Sequence, residues 1–394
     1  MLFSSWITSA AQSGEVSGVI KPFANLLWMI ALPGWVAVSV LPSEVSRASA
    51  TIILIANSIG WASWLFGIFV LFEVRALMHQ GAATATEDVV ASPSRRAFLT
   101  DSALGSIAIC SGGAAGYGTL VEPWSIEVRR YEIPVADLPS GLDGLKIAHV
   151  SDTHVGRRIP DSFIEQAYQR AMDLQPDLIV LTGDHVHSRA DFNQRAADLC
   201  ASMMGAFRGR VIGVLGNHDW WGDGDDLTER MKNAGVHMID NDRVWIDADH
   251  RAVVLDEPAG ESIAIVGLGD LTDSVVRPSR AFRDVSEGTA RVVLAHNPDT
   301  AEISELSGGL SRELSGDSSP RVDLMMSGHT HGGQVRIPFV GTPIIPSRYG
   351  QKYAGGLVQG PGFPVVVSRG IGMSMLPVRV GVPPEVGLVT LVRG

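Results

Sequence analysis

A chain of 394 residues with 45% hydrophobic content has the size of two or three domains and an ordinary globular composition. Its net charge of −11 excludes the dense lysine and arginine contacts that hold a nucleic-acid backbone, so no nucleic-acid partner is expected. Two cysteines, Cys110 and Cys200, give no disulfide framework.

From the N-terminus, about 22 uncharged residues separate Lys21 from Glu44 and about 25 separate Arg47 from Glu73, each long enough to cross a hydrocarbon core of about 30 Å. With Trp28, Trp35, Trp61 and Trp64 among them, residues 1–76 read as a two-helix transmembrane region rather than a buried helical hairpin. Residues 77–121 read as a linker and then a third apolar segment, Ser102 to Val121, which five glycines interrupt. "SRRAFLT" at 94–100 stands in front of it and is similar to a twin-arginine export signal.

Arg75, Arg95 and Arg96 place the 75–96 loop in the cytoplasm by the positive-inside rule. If the third segment crosses, everything from about residue 122 lies outside the cytoplasmic membrane, although Arg129 and Arg130 just beyond it favour the other side. The expectation is therefore a multi-pass inner-membrane protein with its globular part on the extracytoplasmic face.

Residues 122–394 suit one sizeable domain. Five apolar runs end in polar residues: "LKIAHVSDTH" (145–154), "DLIVLTGDH" (177–185), "RVIGVLGNHD" (210–219), "RVVLAHN" (291–297) and "VDLMMSGHTH" (322–331). Each reads as a buried strand delivering side chains to one edge of a sheet. Between them, Phe163, Ile164, Ala167, Ala171 and Leu174 lie along one face of a helix, and Ala196, Leu199 and Met203 suggest another. "SGGLSRELSGDSSP" at 307–320 reads as a solvated loop, and strand-rich sequence follows at 363–369 and 385–392. This alternation predicts a layered α/β sandwich, in which ligands gather at the carboxyl ends of the strands.

Those ends carry Asp152, His154, Asp184, Asn217, His218, His296, His329 and His331. Carboxylate, imidazole and amide oxygen without thiolate suit manganese, iron or zinc. One ion needs about four ligands, so seven candidates suggest two ions sharing one bridge. In Asp152-x-His154 an extended backbone would turn both side chains to one side, and His329-x-His331 repeats the spacing. Asp184 has two oxygens and can bridge, while Asn217 offers a neutral carbonyl. Two carboxylates and a hydroxide against two dications leave a charge of about +1, an anion trap inside an acidic protein.

The series "DTH", "GDH", "GNHD", "AHN" and "GHTHGGQ" in this order resembles the calcineurin-like metallophosphoesterase family over nearly all of 122–394. "IPSRYGQKYAGGLV" (345–358) and "VSRGIGMSMLPVRVGVPPEVGLVTL" (367–391) further resemble its bacterial membrane-associated phosphodiesterase branch, which includes lipid A precursor pyrophosphatases. The resemblance implies a four-layer α-β-β-α sandwich. It also implies that Asp152, His154, Asp184 and His331 hold one divalent metal ion, and that Asp184, Asn217, His296 and His329 hold the other. His218 would be the general acid, with Asp219 next in chain to orient it. A hydroxide held by both ions would then attack phosphorus in line.

A lone histidine at a strand end is more often structural, and His149, His79 and His250 are expected to be so. His185 departs from the family, which more often has an apolar residue after the bridging aspartate; it touches substrate or lines the cleft, and neither it nor His187 is expected to be a ligand. Arg348 and Tyr349 clamp a second phosphate or merely build a turn. Trp220 and Trp221 grip an acyl chain or a base, or pack the core, and Met203, Met204, Met325 and Met326 are core filler. The expected activity is hydrolysis of a phosphodiester or pyrophosphate of a lipid or nucleotide-lipid. The alternatives are a phosphomonoesterase and a metal-binding membrane receptor without catalysis.

Overall fold

A computed structural model describes residues 116–256, 260–307, 320–338, 340–374 and 376–394. The two uncharged runs of 1–76, the linker, the twin-arginine-like motif, His79 and the loop from 308 to 319 lie outside these residues, as do positions 102–115 of the third apolar segment. Among the described residues no helix is long and apolar enough to cross a membrane.

Two sheets carry the domain. The first runs in the order β1 (Glu127–Val135), β13 (Glu385–Arg393), β2 (Leu145–Val150), β3 (Leu178–Thr182), β4 (Val211–Val214) and β5 (His237–Met238). The second runs β11 (Gly356–Gln359), β12 (Pro364–Val367), β10 (Leu324–Ser327), β9 (Ala290–Leu294), β8 (Ser262–Gly267), β6 (Asp242–Asp247) and β7 (Ala252–Val254). β2, β3, β4 and β5 are parallel neighbours, as are β8, β9, β10 and β12, so the carboxyl ends of both sets are brought to common edges.

Strand periodicity divides the core. Ile147, Leu178, Val180, Ile212 and Val214 face Ile263, Ile265, Val292, Leu294, Leu324 and Met326 between the sheets. Their alternate neighbours Ala148, Ile179 and Leu181 face outward onto α1 (Asp161–Asp173) and α2 (Asn193–Ala201). On the far side Met325, Val293 and Val365 face short helical turns that include Ala281, Ala301, Leu306 and Tyr353. The result is helices, sheet, sheet and short helices in layers.

Helix α1 forms where expected. Pro160 precedes it, where its fixed φ and missing N–H cost nothing, and Asp161 and Arg170 sit at the ends their charges favour. Phe163, Ile164, Ala167, Tyr168 and Ala171 form its buried face, with Leu174 packed just past its end. The chain from Met203 does not extend α2: Ala201 ends that helix, and a separate turn, α3 (Met204–Phe207), leads to β4. β1 and β5 to β8 were not read from the sequence, because β1 is a polar edge strand and its partner β13 lies at the other end of the chain.

Candidate metal centre

The polar residues after β2, β3 and β10 do not continue as extended strand. Asp152, His154, Asp184, His329 and His331 all have φ between 47° and 71°, in the left-handed region. Non-glycine residues adopt it reluctantly, and such strain gathers at functional sites. The expected mechanism of convergence is therefore corrected: Asp152 and His154 meet through a twisted turn, not through alternation along a strand. Asn217 and His218 likewise leave β4 and begin a short helix, α4 (Asn217–Gly222).

Glycines make room for these turns. A Cβ on Gly328 would run into Ser151 Oγ and Asp152 Oδ2, and one on Gly216 would strike Asp184 Oδ1. Hence "GHTH" and "GNHD" carry glycine in front of their polar residues.

Seven donor side chains come together in two sets. In one, His154 Nε2 lies 2.9 Å from His331 Nε2 and 3.6 Å from Asp184 Oδ2, and His331 Nε2 lies 3.4 Å from Asp152 Oδ1. In the other, Asn217 Oδ1 lies 3.2 Å from His296 Nε2 and 3.0 Å from His329 Nδ1, with those two nitrogens 3.2 Å apart. Asp184 Oδ2 also lies 3.3 Å from His296 Nε2, so one oxygen belongs to both sets. Donors at about 2.1 Å from a cation stand about 3.0 Å apart in an octahedron and about 3.4 Å apart in a tetrahedron. The spacings of 2.9–3.6 Å lie close to those edges, and imidazole nitrogens aimed at one another lack an arrangement in which all find a proton. The residues present fit divalent cations.

Protons and hydrogen bonds aim these donors. His296 Nδ1 lies 2.8 Å from the Thr182 carbonyl and donates to it, which leaves Nε2 for the centre. Asp184 Oδ1 accepts the His218 N–H at 2.9 Å, and Asp152 accepts the His329 N–H at 3.0 Å. Burial raises the carboxyl of Asp152, and that of Asp184 to about 7. Burial also holds His154 and His331 well below the ordinary imidazole value and His329 at about 3. For His296 burial works against the proton, but the Asp184 carboxylate outweighs it and holds that ring well above its usual value. Carboxylates this reluctant to ionise, beside three imidazoles this reluctant to protonate and a fourth, His296, that takes a proton only to answer Asp184, want a cation that carries no proton.

His218 stands beside the centre without joining either set. Its Nδ1 is 2.7 Å from Ser188 Oγ and its Nε2 3.5 Å from Ser374 Oγ. His187 stacks on it with ring centroids 5.3 Å apart, and the exposed Trp221 ring lies 4.2 Å away on the rim. Asp219 does not orient it. Its Oδ1 accepts the Val186 N–H at 3.0 Å and its Oδ2 the Gly216 N–H at 2.8 Å, so its carboxylate ties two loops together.

Other expected residues have framework or rim positions. His185 is buried and its Nε2 donates to the Val214 carbonyl at 3.0 Å, a structural tie between β3 and β4 rather than a substrate contact. Arg348 donates its backbone N–H to Asp299 at 2.8 Å and leaves its side chain exposed. Tyr349 is exposed and meets Tyr353 edge-on at 6.0 Å. His149 is a buried neutral ring, 2.8 Å from Thr182 Oγ1, and His250 pairs with Asp247. Met203, Met325 and Met326 are core, as expected, with Met204 packed at its margin, and Trp220 packs there too.

Three more residues stand at the site: His187, noticed in the sequence but not expected to be a ligand, and Ser188 and Arg379, which carry no readable sign. His187 Nδ1 lies 3.4 Å from His154 Nδ1, and with His218 these rings form a third cluster of donors. Ser188 follows it. Arg379, fully buried, donates to the carbonyls of Arg369, Gly370, Gly372 and Val382, and burial lowers it to about 10. It fixes the turn whose Gly370 packs against Asp152.

Comparison with known proteins places this arrangement. Residues 145–333 match the family described as calcineurin-like phosphoesterase. The chain is 31% identical over 302 residues to the uncharacterized metallophosphoesterase YkuE of Bacillus subtilis, covering 76% of this chain and 97% of that protein. It is 32% identical over 308 residues to phosphodiesterase YaeI of Escherichia coli, covering 76% of this chain and 99% of that one. UDP-2,3-diacylglucosamine pyrophosphatase LpxG of Chlamydia trachomatis is 25% identical over 262 residues, 56% of this chain and 73% of that protein. The chain belongs to the calcineurin-like metallophosphoesterase family of metal-dependent phosphoric ester hydrolases.

Proposed function

We propose that this chain is a membrane-anchored hydrolase with two metal ions that cleaves a phosphodiester or pyrophosphate bond of a lipid or nucleotide-lipid. The observation that carries it is the pair of donor sets meeting at Asp184 Oδ2, with His218 at their margin. Asp152, His154, Asp184 and His331 would hold one ion, and Asp184, Asn217, His296 and His329 the other. Bound ions of manganese, iron or zinc supply Lewis acidity to water and to the phosphoryl oxygens.

The chain's own residues do the rest. Asp184 keeps the two sets at a fixed separation, because its Oδ1 is tied to the His218 N–H. His218, once protonated, gives the proton on Nε2 to the departing oxygen and returns to the neutral ring, while its Nδ1–H donates to Ser188 Oγ so that Nε2 faces the reaction. Burial holds the free ring well below the usual imidazole value, so it would take up that proton only with the anionic substrate in place. Trp221 on the rim, and the exposed Tyr349 and Arg348, would meet the parts of the substrate beyond phosphorus, including its lipid phosphates.

The substrate class is supported by two relatives whose names are phosphodiesterase and pyrophosphatase, the second acting on a diacylated sugar nucleotide. Anchoring is supported by the uncharged runs of 1–76 and by the apolar segment ending at Val121. A receptor without catalysis would need the donors but not His218 and Ser188. The full chain, loaded with manganese in detergent, should hydrolyse a chromogenic phosphodiester faster than the matching monoester. Preference for the monoester would make it a phosphatase, and turnover of neither with metal bound would favour the receptor. A reporter fused after Gly394, active on one side of a membrane only, tests the proposed extracytoplasmic placement.

A further inference from the structure

From Leu324 to Pro384 this acidic chain carries no aspartate or glutamate, against five basic residues, Arg336, Arg348, Lys352, Arg369 and Arg379. Within that stretch residues 335–338 and 340–349 leave the core as a loop. Ile337, Val340 and Ile344 on it are 44%, 69% and 52% exposed. Pro338 and Pro343 are exposed beside them. Branched apolar side chains concentrated on one loop mark a surface that meets something other than water.

The loop is shaped and anchored rather than loose. Ile337 N–H donates to the Gly341 carbonyl at 2.8 Å and Gly341 N–H donates back at 2.9 Å, closing the tip. Thr342 Oγ1 donates to the carbonyl of Gly332, next in chain to His331, at 3.2 Å, so the loop borders the metal centre. Arg336 and Arg348 flank it, exposed, and neither forms an ion pair among the described residues.

A second apolar strip lies next to it. Tyr117, Leu120 and Val121 are exposed on the turn of helix that ends the third apolar segment. Gly118 O accepts the Arg379 N–H at 2.9 Å. Val380 N–H in turn donates to Gln334 O at 2.8 Å, and Arg336 N–H donates to Val380 O at 2.8 Å. The segment 379–382 therefore carries the strip on one side and the base of the loop on the other. In sequence the strip leads back into the uncharged 102–115.

We propose that the 335–349 loop and the 117–121 strip form one amphiphilic face that rests on an anionic lipid bilayer. Ile337, Val340 and Ile344 enter among the headgroups, and Arg336 and Arg348 meet lipid phosphates. The metal centre then opens at the headgroup plane. This rests on the phosphodiesterase reading and deepens it, because the substrate becomes a phosphate ester presented in the membrane surface.

The test uses the full chain reconstituted in vesicles of phosphatidylcholine with or without phosphatidylglycerol. A polarity-sensitive fluorophore is placed at Val340→Cys, or at Asp249→Cys, exposed on the turn at the opposite end of β6. The parent chain, with Cys110 and Cys200, gives the background. The expected result is a blue shift at 340 that grows with phosphatidylglycerol and is quenched by nitroxide-labelled lipid, with no shift at 249. A probe at 340 as wet as that at 249 in both vesicles overturns the proposal. So does a shift that persists in detergent and grows with protein concentration, which would assign the face to a second copy.

In the second arm, I337S/V340S/I344S together should keep turnover of a soluble chromogenic diester within about twofold and lose at least about fivefold on the same diester carried by a lipid in vesicles. Equal loss on both, or loss on neither, overturns docking. If the parent hydrolyses neither diester, the phosphodiesterase reading fails while the fluorophore still decides the docking.

Discussion

Ser188 Oγ lies 2.7 Å from Nδ1 of His218, while Asp219, the residue after His218 in the chain, turns its carboxylate to the Val186 and Gly216 N–H groups. Ser188 holds φ at 63°, so the chain accepts a strained backbone to bring the hydroxyl there. His218→Ala should keep both metals and lose about 10²- to 10⁴-fold in turnover, most on substrates with poor leaving groups. Ser188→Ala should lose about tenfold with the same dependence on leaving group, since it disturbs only the orientation of the ring. Metal analysis and kcat across a series of aryl diesters check both. Loss of metal in His218→Ala would contradict the assignment.

Asp219 should matter to the fold instead. Replacing it by Ala leaves two buried N–H groups, of Val186 and Gly216, without acceptors. At about 1–3 kcal/mol for each, a loss of roughly 2–6 kcal/mol is expected in denaturant unfolding. Unchanged stability with lost turnover would restore it to the acid's side.

Asp240 predicts a dependence of stability on pH away from the metal centre. Its Oδ1 accepts the Leu215 N–H at 3.0 Å, but its buried Oδ2 has no partner among the described residues. Burial, with the nearby Asp219 and Asp270 charges adding to it, raises the carboxyl to about 7. A group raised on folding stabilises fully below its unfolded value, near 4, and that stability is lost as pH rises through about 7. The stability that Asp240→Asn gains over the parent should therefore be about 3 kcal/mol larger at pH 8 than at pH 4.5. A gain that does not vary with pH would count against the buried charge.

The donor residues were legible because they end apolar strands, where side-chain type, local spacing and order along the chain all point to one edge. His149 and His250 were rightly separated from them by lacking such company. What was hidden depends on chain folding over long distances. Ser188 and Arg379 follow no pattern of their own and matter only through what the fold sets beside them. β13 inserts between β1 and β2, a pairing across about the whole domain that no local signal announces. Asp219 looked like an orienting group because it adjoins His218, but the first turn of α4 points its carboxylate back to the Gly216 and Val186 backbone. The acid-free stretch from 324 to 384 was visible throughout, yet its meaning needed the neighbourhood of the 117–121 strip.

The metal content of the purified full chain tests the centre most directly. After loading with manganese and removal of free ion, two ions per chain are expected, falling below one in Asp184→Asn because both sets lose their shared oxygen. A single ion in the parent, or an Asp184→Asn chain that still holds two, would contradict the account.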